Sequence, residues 1–488
     1  MHSLAAKMPR LMVPGLQNLG NTCFFNAILQ ALASLPSVHE YLQEIEQRAR
    51  VTRRHIAFTG ALRDCLEALT PREEHESCKV VAPRVLNAEL TSKLRAFRGN
   101  KQQDSQELLQ FLFKLVGNEQ QSCSVQDRGL VDLTVDDVQD PATLSSISDL
   151  RLSQAVDKRN WNPLQGLQVN LLQCCRCHRF RPLKNQPFLD VSLSLVALGD
   201  RNISCLTDAL HMYTEPEVIK GVECSYCSVI DELKVTMKEY EQTKKDEARL
   251  RHGNASIVLG LEIAQHERKD WIHTLEQLAN SSFSFDLEQL ERPIPRSRSE
   301  SHKRLQFSRS PDVFCFHLNR KVYRKTGGAV KLENYVEFPL ELDMSVYCQY
   351  ELDSIAEQEL VNSASRRGSG LIRQSGTSSL PYSEGTKQQY LLYDLTAVIL
   401  HHGNERCGHF TAYRRASPSQ WFFVSDESVR EASVAEVLSS CAYMLFYERK
   451  CRTKKTTRSS ETEETTDDDD SLPDVPFEPH LLLPNGRY

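Results

Sequence analysis

The sequence has no long hydrophobic run. Nowhere does it reach the roughly 18 to 20 consecutive apolar residues that cross a bilayer, and residues 1–13 lack the apolar core of a secretory signal. It also lacks a basic excess: 59 Lys plus Arg against 65 Asp plus Glu give a formal charge of −6, so a nucleic acid is not an expected partner. Glycine and proline, 20 of each, are too scarce for a collagen-like or wholly disordered chain, and there is no internal repeat of solenoid period. Cysteine is not scarce. There are 15, an odd number over a long chain, some in C-x-x-C pairs, which suits metal ligands or reactive thiols in a reducing compartment better than a disulfide framework. The 488 residues are enough for a large buried core.

After a leader at 1–13, Pro14 and Gly15 open a turn. Phe24, Ile28, Leu29, Leu32 and Leu35 recur at helical spacing, which predicts a helix starting near Cys23 and stopped by Pro36. Helical patterning continues at 58–69, 80–94 and 104–116, so the first quarter reads as an α-rich lobe. From about Trp161 the texture changes to short β-like runs at 189–195, 313–318, 390–400, 409–413, 421–424 and 442–447, predicting a largely antiparallel sheet assembly and an α+β fold class. Polar stretches at about 230–310 and 354–389 read as insertions. Residues 451–488, with Lys454, Lys455 and Arg458 ahead of the run Asp467 to Asp470, read as a disordered charged tail.

Two segments carry the residue types of a nucleophile and its base. Gly15-Leu16-Gln17-Asn18-Leu19-Gly20-Asn21-Thr22-Cys23 sets two glycines and two asparagines before a cysteine at a helix N-terminus. Such a turn exposes the sulfur, aims backbone N–H groups at it, and lets the helix dipole favour the thiolate. The plainer alternative is a buried cysteine in a first helical turn. Gly408-His409-Phe410-Thr411-Ala412-Tyr413, followed by Trp421-Phe422-Phe423-Val424-Ser425-Asp426, offers an imidazole and a neighbouring strand able to fix its tautomer, as a cysteine protease requires. A lone strand histidine is ordinarily structural, so the argument rests on the combination.

These segments resemble the ubiquitin-specific proteases. Residues 15–32 look like that family's cysteine box and 390–447 like its histidine box. Gln102-Gln103-Asp104-Ser105-Gln106-Glu107-Leu108 and 311–320 match its intermediate motifs in family order. The resemblance implies a papain-like cysteine protease over 14–450, with an α-rich thumb at about 14–130 and a β-rich palm with zinc-ribbon fingers at about 160–450. It implies Cys23 as nucleophile, His409 as general base and later acid, and Asn18 as the oxyanion-hole side chain beside the Cys23 N–H. For Asn18 the residues alone also allow a turn-forming asparagine. The implied reaction is thiol-dependent release of ubiquitin from lysine isopeptide bonds on proteins or chains, with no organic cofactor.

At the third catalytic position the family usually has Asn or Asp, whereas here Ser425 precedes Asp426. A serine hydroxyl can take the Nδ1–H bond and set the tautomer, but it brings no charge to the imidazolium, so slower turnover is expected. Strand alternation points Asp426 away from His409 if Ser425 points toward it; a local twist is the route by which Asp426 would take over. Serine here, together with 421–447, resembles a branch of the family held in the mitochondrial outer membrane by an N-terminal hydrophobic anchor. Residues 1–13 carry no such anchor, so the expected location is the cytosol or the cytosolic face of that membrane.

Cys174-Cys175-Arg176-Cys177 and Cys224-Ser225-Tyr226-Cys227 stand 46 residues apart. Two such knuckles can complete a closed tetrahedral sulfur site for structural zinc from Cys174, Cys177, Cys224 and Cys227, the alternative being four free thiols. The gap is wide for a compact ribbon but suits the long strands of the family's fingers. Asp104 and Glu107 fit a capping box; in the family such acids hold the arginine-bearing tail of ubiquitin, and carboxylates suit guanidinium forks. Three rivals remain: a catalytically weak ubiquitin-binding scaffold, a protease for another ubiquitin-like modifier, and a zinc-finger nucleic-acid binder suggested by the basic stretch 296–309.

Overall fold

The computed structural model describes residues 11–73, 79–98, 103–124, 161–183, 185–196, 203–250, 255–280, 287–323, 327–348, 391–404 and 408–450. The stretch 354–389 and the charged tail lie outside the described residues. All described residues belong to the unit Met1–Lys450.

The first lobe contains α1 (Cys23–Leu32), α2 (Pro36–Thr52), α3 (Ala57–Ala68), α4 (Arg84–Lys93) and α5 (Ser105–Ser124). Every residue of α1 is buried, as expected of a helix that is apolar around most of its circumference. Pro36 does not merely stop α1. It opens α2 at the first helical position, where its missing N–H costs nothing and its fixed φ already suits the helix.

The strands are β1 (Leu11–Met12), β2 (Arg72–Glu73), β3 (Gly166–Cys174), β4 (Phe180–Pro182), β5 (Gln186–Phe188), β6 (Val191–Ser194), β7 (Glu217–Glu223), β8 (Arg298–Arg309), β9 (Val313–Asn319), β10 (Lys321–Tyr323), β11 (Ala329–Lys331), β12 (Glu341–Asp343), β13 (Leu392–Gly403), β14 (Gly408–Ser417), β15 (Gln420–Ser425), β16 (Ser428–Ala432) and β17 (Ala442–Arg449). The central sheet runs β16-β15-β14-β13-β17-β9-β6 with β12 on β13; it is antiparallel except for the β6–β9 pair. A second sheet runs β4-β3-β8-β7 with β5 on β3, and β1–β2 and β10–β11 pair separately.

The central sheet is covered on both faces, which is why β13 and β17 read as unbroken apolar runs rather than alternating ones. Ala397, Ile399, Phe410, Ala412, Met444 and Phe446 face the first lobe. Leu395, Val398, Leu400, Leu445 and Tyr447 face a second core with α6 (Leu206–Tyr213). A bulge between Leu395 and Ala397 accounts for the break in parity along β13.

The polar stretch at 230–310 is not one insertion. Helices α7 (Ser225–Leu250) and α8 (Ala255–Asn280) pack on each other, but β8 is the inner strand of the second sheet, between β3 and β7. Its apolar alternation is weak because Lys303 pairs with Glu217 and Arg298 with Glu223, both across β7. Within the basic stretch 296–309, Arg296, Arg298 and Lys303 are thus paired with acidic residues of β7. A short helix, α9 (Val434–Leu438), precedes β17. No helix among the described residues is long and apolar enough to cross a membrane.

Candidate active site

Cys23 is the first residue of α1 and only 2% exposed. The turn before it is sharp, with Gly20 at φ 105° and Asn21 at φ 55°, a pair of left-handed residues that suits glycine and asparagine. Burial raises the Cys23 pKa. The backbone N–H of Phe410 pulls it down, and the negative charge of Asp426 pushes it up again. Burial and the Asp426 charge thus favour the thiol over the thiolate, so using the sulfur as a nucleophile calls for a base.

The histidine expected to be that base is next to Phe410. His409 lies near the start of β14, against which α1 packs, and its Nε2 is 2.9 Å from Ser425 Oγ at the end of β15. The sequence reading gave the serine to Nδ1. The structure corrects this: β15 meets the ring on its Nε2 side. Gly408 is needed where it stands, because a Cβ there would lie 2.1 Å from the His402 carbonyl oxygen.

Asp426 is turned away from the imidazole. It has φ 50°, a left-handed conformation at the β15–β16 turn, and its carboxylate reaches back to the loop before α1. Oδ2 accepts from Asn18 Nδ2 at 2.8 Å and Oδ1 from Asn26 Nδ2 at 2.7 Å. The Asp426 carbonyl also accepts from the Leu16 N–H at 2.8 Å. Asn18 is held from its other side as well, its Oδ1 accepting from the N–H groups of Gly20 at 3.0 Å and Thr22 at 3.2 Å. Both ends of the amide are thus held. Gly15, in the same loop, passes so close that a Cβ would lie 2.5 Å from the Glu427 carbonyl oxygen. Sequence reasoning missed Asn26. Its only signal was that it is one of two polar residues, with Gln30, on an apolar helix, and both are buried.

Asp104 precedes α5 and caps it by accepting from the Gln106 N–H at 2.7 Å, with its other oxygen accepting from the Tyr443 hydroxyl at 2.6 Å. Asp104 and Glu107 are both exposed. On the next strand, burial and the Lys331 ammonium bring His401 down to about 4, so it stays neutral in ordinary buffers.

The four knuckle cysteines converge at the far end of the second sheet. Cys174 ends β3 and Cys177 follows in the turn, while Cys224 follows β7 and Cys227 lies in the first turn of α7. Both strands flank β8, which explains the wide gap in sequence. The four sulfurs lie within 4.8 Å of one another, with Cys174–Cys227 at 3.7 Å and Cys177–Cys224 at 3.6 Å. A tetrahedron of sulfurs about 2.3 Å from a zinc ion has edges of about 3.8 Å, so the donor set and its spacing fit that metal. Cys175 is outside the set, with its N–H bonded to the Glu300 carbonyl.

The model of the ubiquitin carboxyl-terminal hydrolase family matches residues 14–447. Ubiquitin carboxyl-terminal hydrolase 30 of Danio rerio is 27% identical over 497 residues, covering 90% of this chain and 86% of its own. The Homo sapiens protein of the same name is 27% identical over 498 residues, covering 90% and 84%. Ubiquitin carboxyl-terminal hydrolase 27 of Arabidopsis thaliana is 26% identical over 471 residues, covering 90% and 85%. Among solved structures, the SAGA Ubp8/Sgf11/Sus1/Sgf73 DUB module bound to ubiquitin aldehyde aligns with a TM-score of 0.54 at 19% identity, covering 91% of this chain and 72% of that one. That likeness bears on the fold.

Proposed function

We propose that this chain, which belongs to the ubiquitin carboxyl-terminal hydrolase family, is a cysteine-type deubiquitinase whose reaction is carried by Cys23, His409, Ser425 and Asn18. The observation that carries the assignment is the 2.9 Å contact of His409 Nε2 with Ser425 Oγ on the strand whose next residue, Phe410, offers its N–H to the Cys23 sulfur. Nδ1 takes the thiol proton as Sγ attacks the carbonyl carbon of the terminal glycine of ubiquitin. The oxyanion that forms meets the Cys23 N–H and the second Nδ2–H of Asn18, a preset donor worth about 3 to 4 kcal/mol in comparable acyl transfers. Collapse breaks the C–N bond, and His409 returns its proton to the departing lysine amine, leaving a thioester. Water, deprotonated by His409, then cleaves the thioester and restores the thiol.

Asp426 acts on Asn18 rather than on the imidazole, while Asp104 and Glu107 offer carboxylates to arginines in the tail of ubiquitin. Cys174, Cys177, Cys224 and Cys227 would hold a structural zinc that ties the ends of β3 and β7. The likeness to ubiquitin carboxyl-terminal hydrolase 30 supports a site of action on the mitochondrial outer membrane, opposing mitophagy. Fractionation of the full chain followed by protease protection tests that address, and a purely cytosolic distribution refutes it.

The test of the reaction is covalent labelling by ubiquitin bearing a C-terminal electrophile. Wild type labels and Cys23→Ala does not. A wild type that binds ubiquitin yet neither labels nor hydrolyses a fluorogenic ubiquitin substrate is a scaffold, and one that labels only with another modifier has a different substrate.

A further inference from the structure

One buried charge has no part in this reaction scheme. Arg414 lies on β14, the strand of His409, and has no exposed surface. No carboxylate among the described residues pairs with it, and burial brings its guanidinium down to about 9. A cation buried without an anion is costly, so the groups around it must compensate. Nη2 donates to the Ala33 carbonyl at 3.0 Å, and Nη1 donates to the Leu69 carbonyl at 3.0 Å and to Gln30 Oε1 at 2.8 Å. Ala33 is the C-cap of α1 and Leu69 the C-cap of α3, so the guanidinium sits at the negative ends of two helix dipoles. Gln30 Nε2 in turn donates to the Pro14 carbonyl at 2.8 Å, where the Asn18 loop begins.

We propose that Arg414 is a positioning residue for the Cys23–His409 pair. One side chain joins the strand that carries His409 to the far end of the helix that carries Cys23 and, through Gln30, to the entry of the loop that carries Asn18. A short helix moves as a rigid body, so freedom at Ala33 becomes displacement at Cys23. Phe410 and Ala412, on the same face of β14, pack against this lobe through apolar contact. Position 414 instead supplies directional bonds, which fix rotation and register as well as distance. Arg414 touches neither sulfur nor imidazole, and the inference rests on the catalytic reading above.

The test compares Arg414→Met and Arg414→Lys with wild type in the full chain. The readouts are kcat and KM on a fluorogenic ubiquitin substrate, thermal melting, and the pH dependence of Cys23 alkylation by iodoacetamide. Misplacement on the ångström scale costs up to about 100-fold in such reactions. The expectation for Arg414→Met is a kcat lowered roughly 10- to 100-fold, KM within about twofold, and an alkylation profile shifted toward that of His409→Ala. Lysine reaches some of the same carbonyls and restores part of the loss. A folded Arg414→Met with wild-type kcat overturns the proposal. So does a kcat deficit that vanishes on cooling to the wild-type folded fraction, because the role is then only structural. If the methionine variant does not fold, the lysine variant decides: reduced kcat at an undiminished folded fraction supports the proposal, and wild-type kcat overturns it. Failure of the catalytic reading is distinguishable, since wild type itself would then escape the ubiquitin probe.

Discussion

Asp426→Asn should separate two quantities that usually fall together, turnover and the intrinsic reactivity of the nucleophile. Asparagine tolerates the φ of 50° at this turn as aspartate does, so the substitution removes the charge without straining the backbone. The carboxylate accepts two amide bonds, from Asn18 at 2.8 Å and Asn26 at 2.7 Å. A carboxamide has one acceptor oxygen, so its NH2 group must face one of those two donors. A hydrogen bond to a charged group contributes about 1.5 to 3 kcal/mol. Complete loss of an oxyanion donor costs about 2.7 to 4 kcal/mol, which sets the ceiling. With the NH2 turned toward Asn18, which is exposed and can turn its own amide to water while Asn26 is buried, Asn18 is held only through Oδ1 and kcat/KM should fall roughly 10- to 100-fold. The thiol responds in the opposite sense. After burial, which raises the Cys23 pKa most, the Asp426 charge raises it further. Removing that charge lowers the pKa and enlarges the thiolate fraction at any pH below it. Iodoacetamide should therefore alkylate Cys23 at pH 7 to 8 at least as fast in the variant as in wild type, while hydrolysis of a fluorogenic ubiquitin substrate slows. If alkylation and hydrolysis fall in parallel, Asp426 acts on the Cys23–His409 pair itself. If neither changes, the carboxylate clamp on Asn18 has no catalytic consequence.

In wild type without ubiquitin, the raised Cys23 pKa means that the alkylation rate should still be climbing as pH rises through 9; a plateau reached below pH 8 would contradict the buried-thiol assignment. Ser425→Ala removes the 2.9 Å partner of His409 Nε2, a bond of about 1 kcal/mol, and should lower kcat about fivefold with KM unchanged, as read from initial rates. Purified protein should carry one zinc per chain by atomic emission, and stripping it should lower the melting temperature; an unchanged melt after verified removal would leave the four cysteines as free thiols. Gly408→Ala places a Cβ against the His402 carbonyl, and overpacking of that kind costs about 1 to 3 kcal/mol, so both the melting temperature and turnover should drop.

Local pattern made much of this fold legible. The α-rich first lobe and most strands of the central sheet follow from periodicity, because a helix or strand with one or both faces in a core must show it. Pro36 was misread because a proline that ends one helix and a proline that begins the next look the same until the intervening turn is known. β8 was misread because cross-strand ion pairs with Glu217 and Glu223 replace part of the apolar alternation by which a strand is recognised.

Within the site, the residues named by local motifs are Cys23 and His409; what was hidden is how the groups around them are shared. Which imidazole nitrogen meets Ser425 is set by the approach of β15. Asn26 has no visible purpose until Asp426, distant in sequence, is placed against it. The same placement bears on the unusual serine. The Ser425 hydroxyl beside His409 carries no charge, yet a carboxylate is present one residue further on, turned by a left-handed backbone onto Asn18 and Asn26. The two neighbouring side chains thus bond to different groups, Ser425 to the imidazole and Asp426 to Asn18 and Asn26. Since Asp426 also raises the thiol pKa, its charge hinders formation of the thiolate while its carboxylate holds Asn18. That opposition is why removing the Asp426 charge should lower the thiol pKa and release Asn18 at the same time.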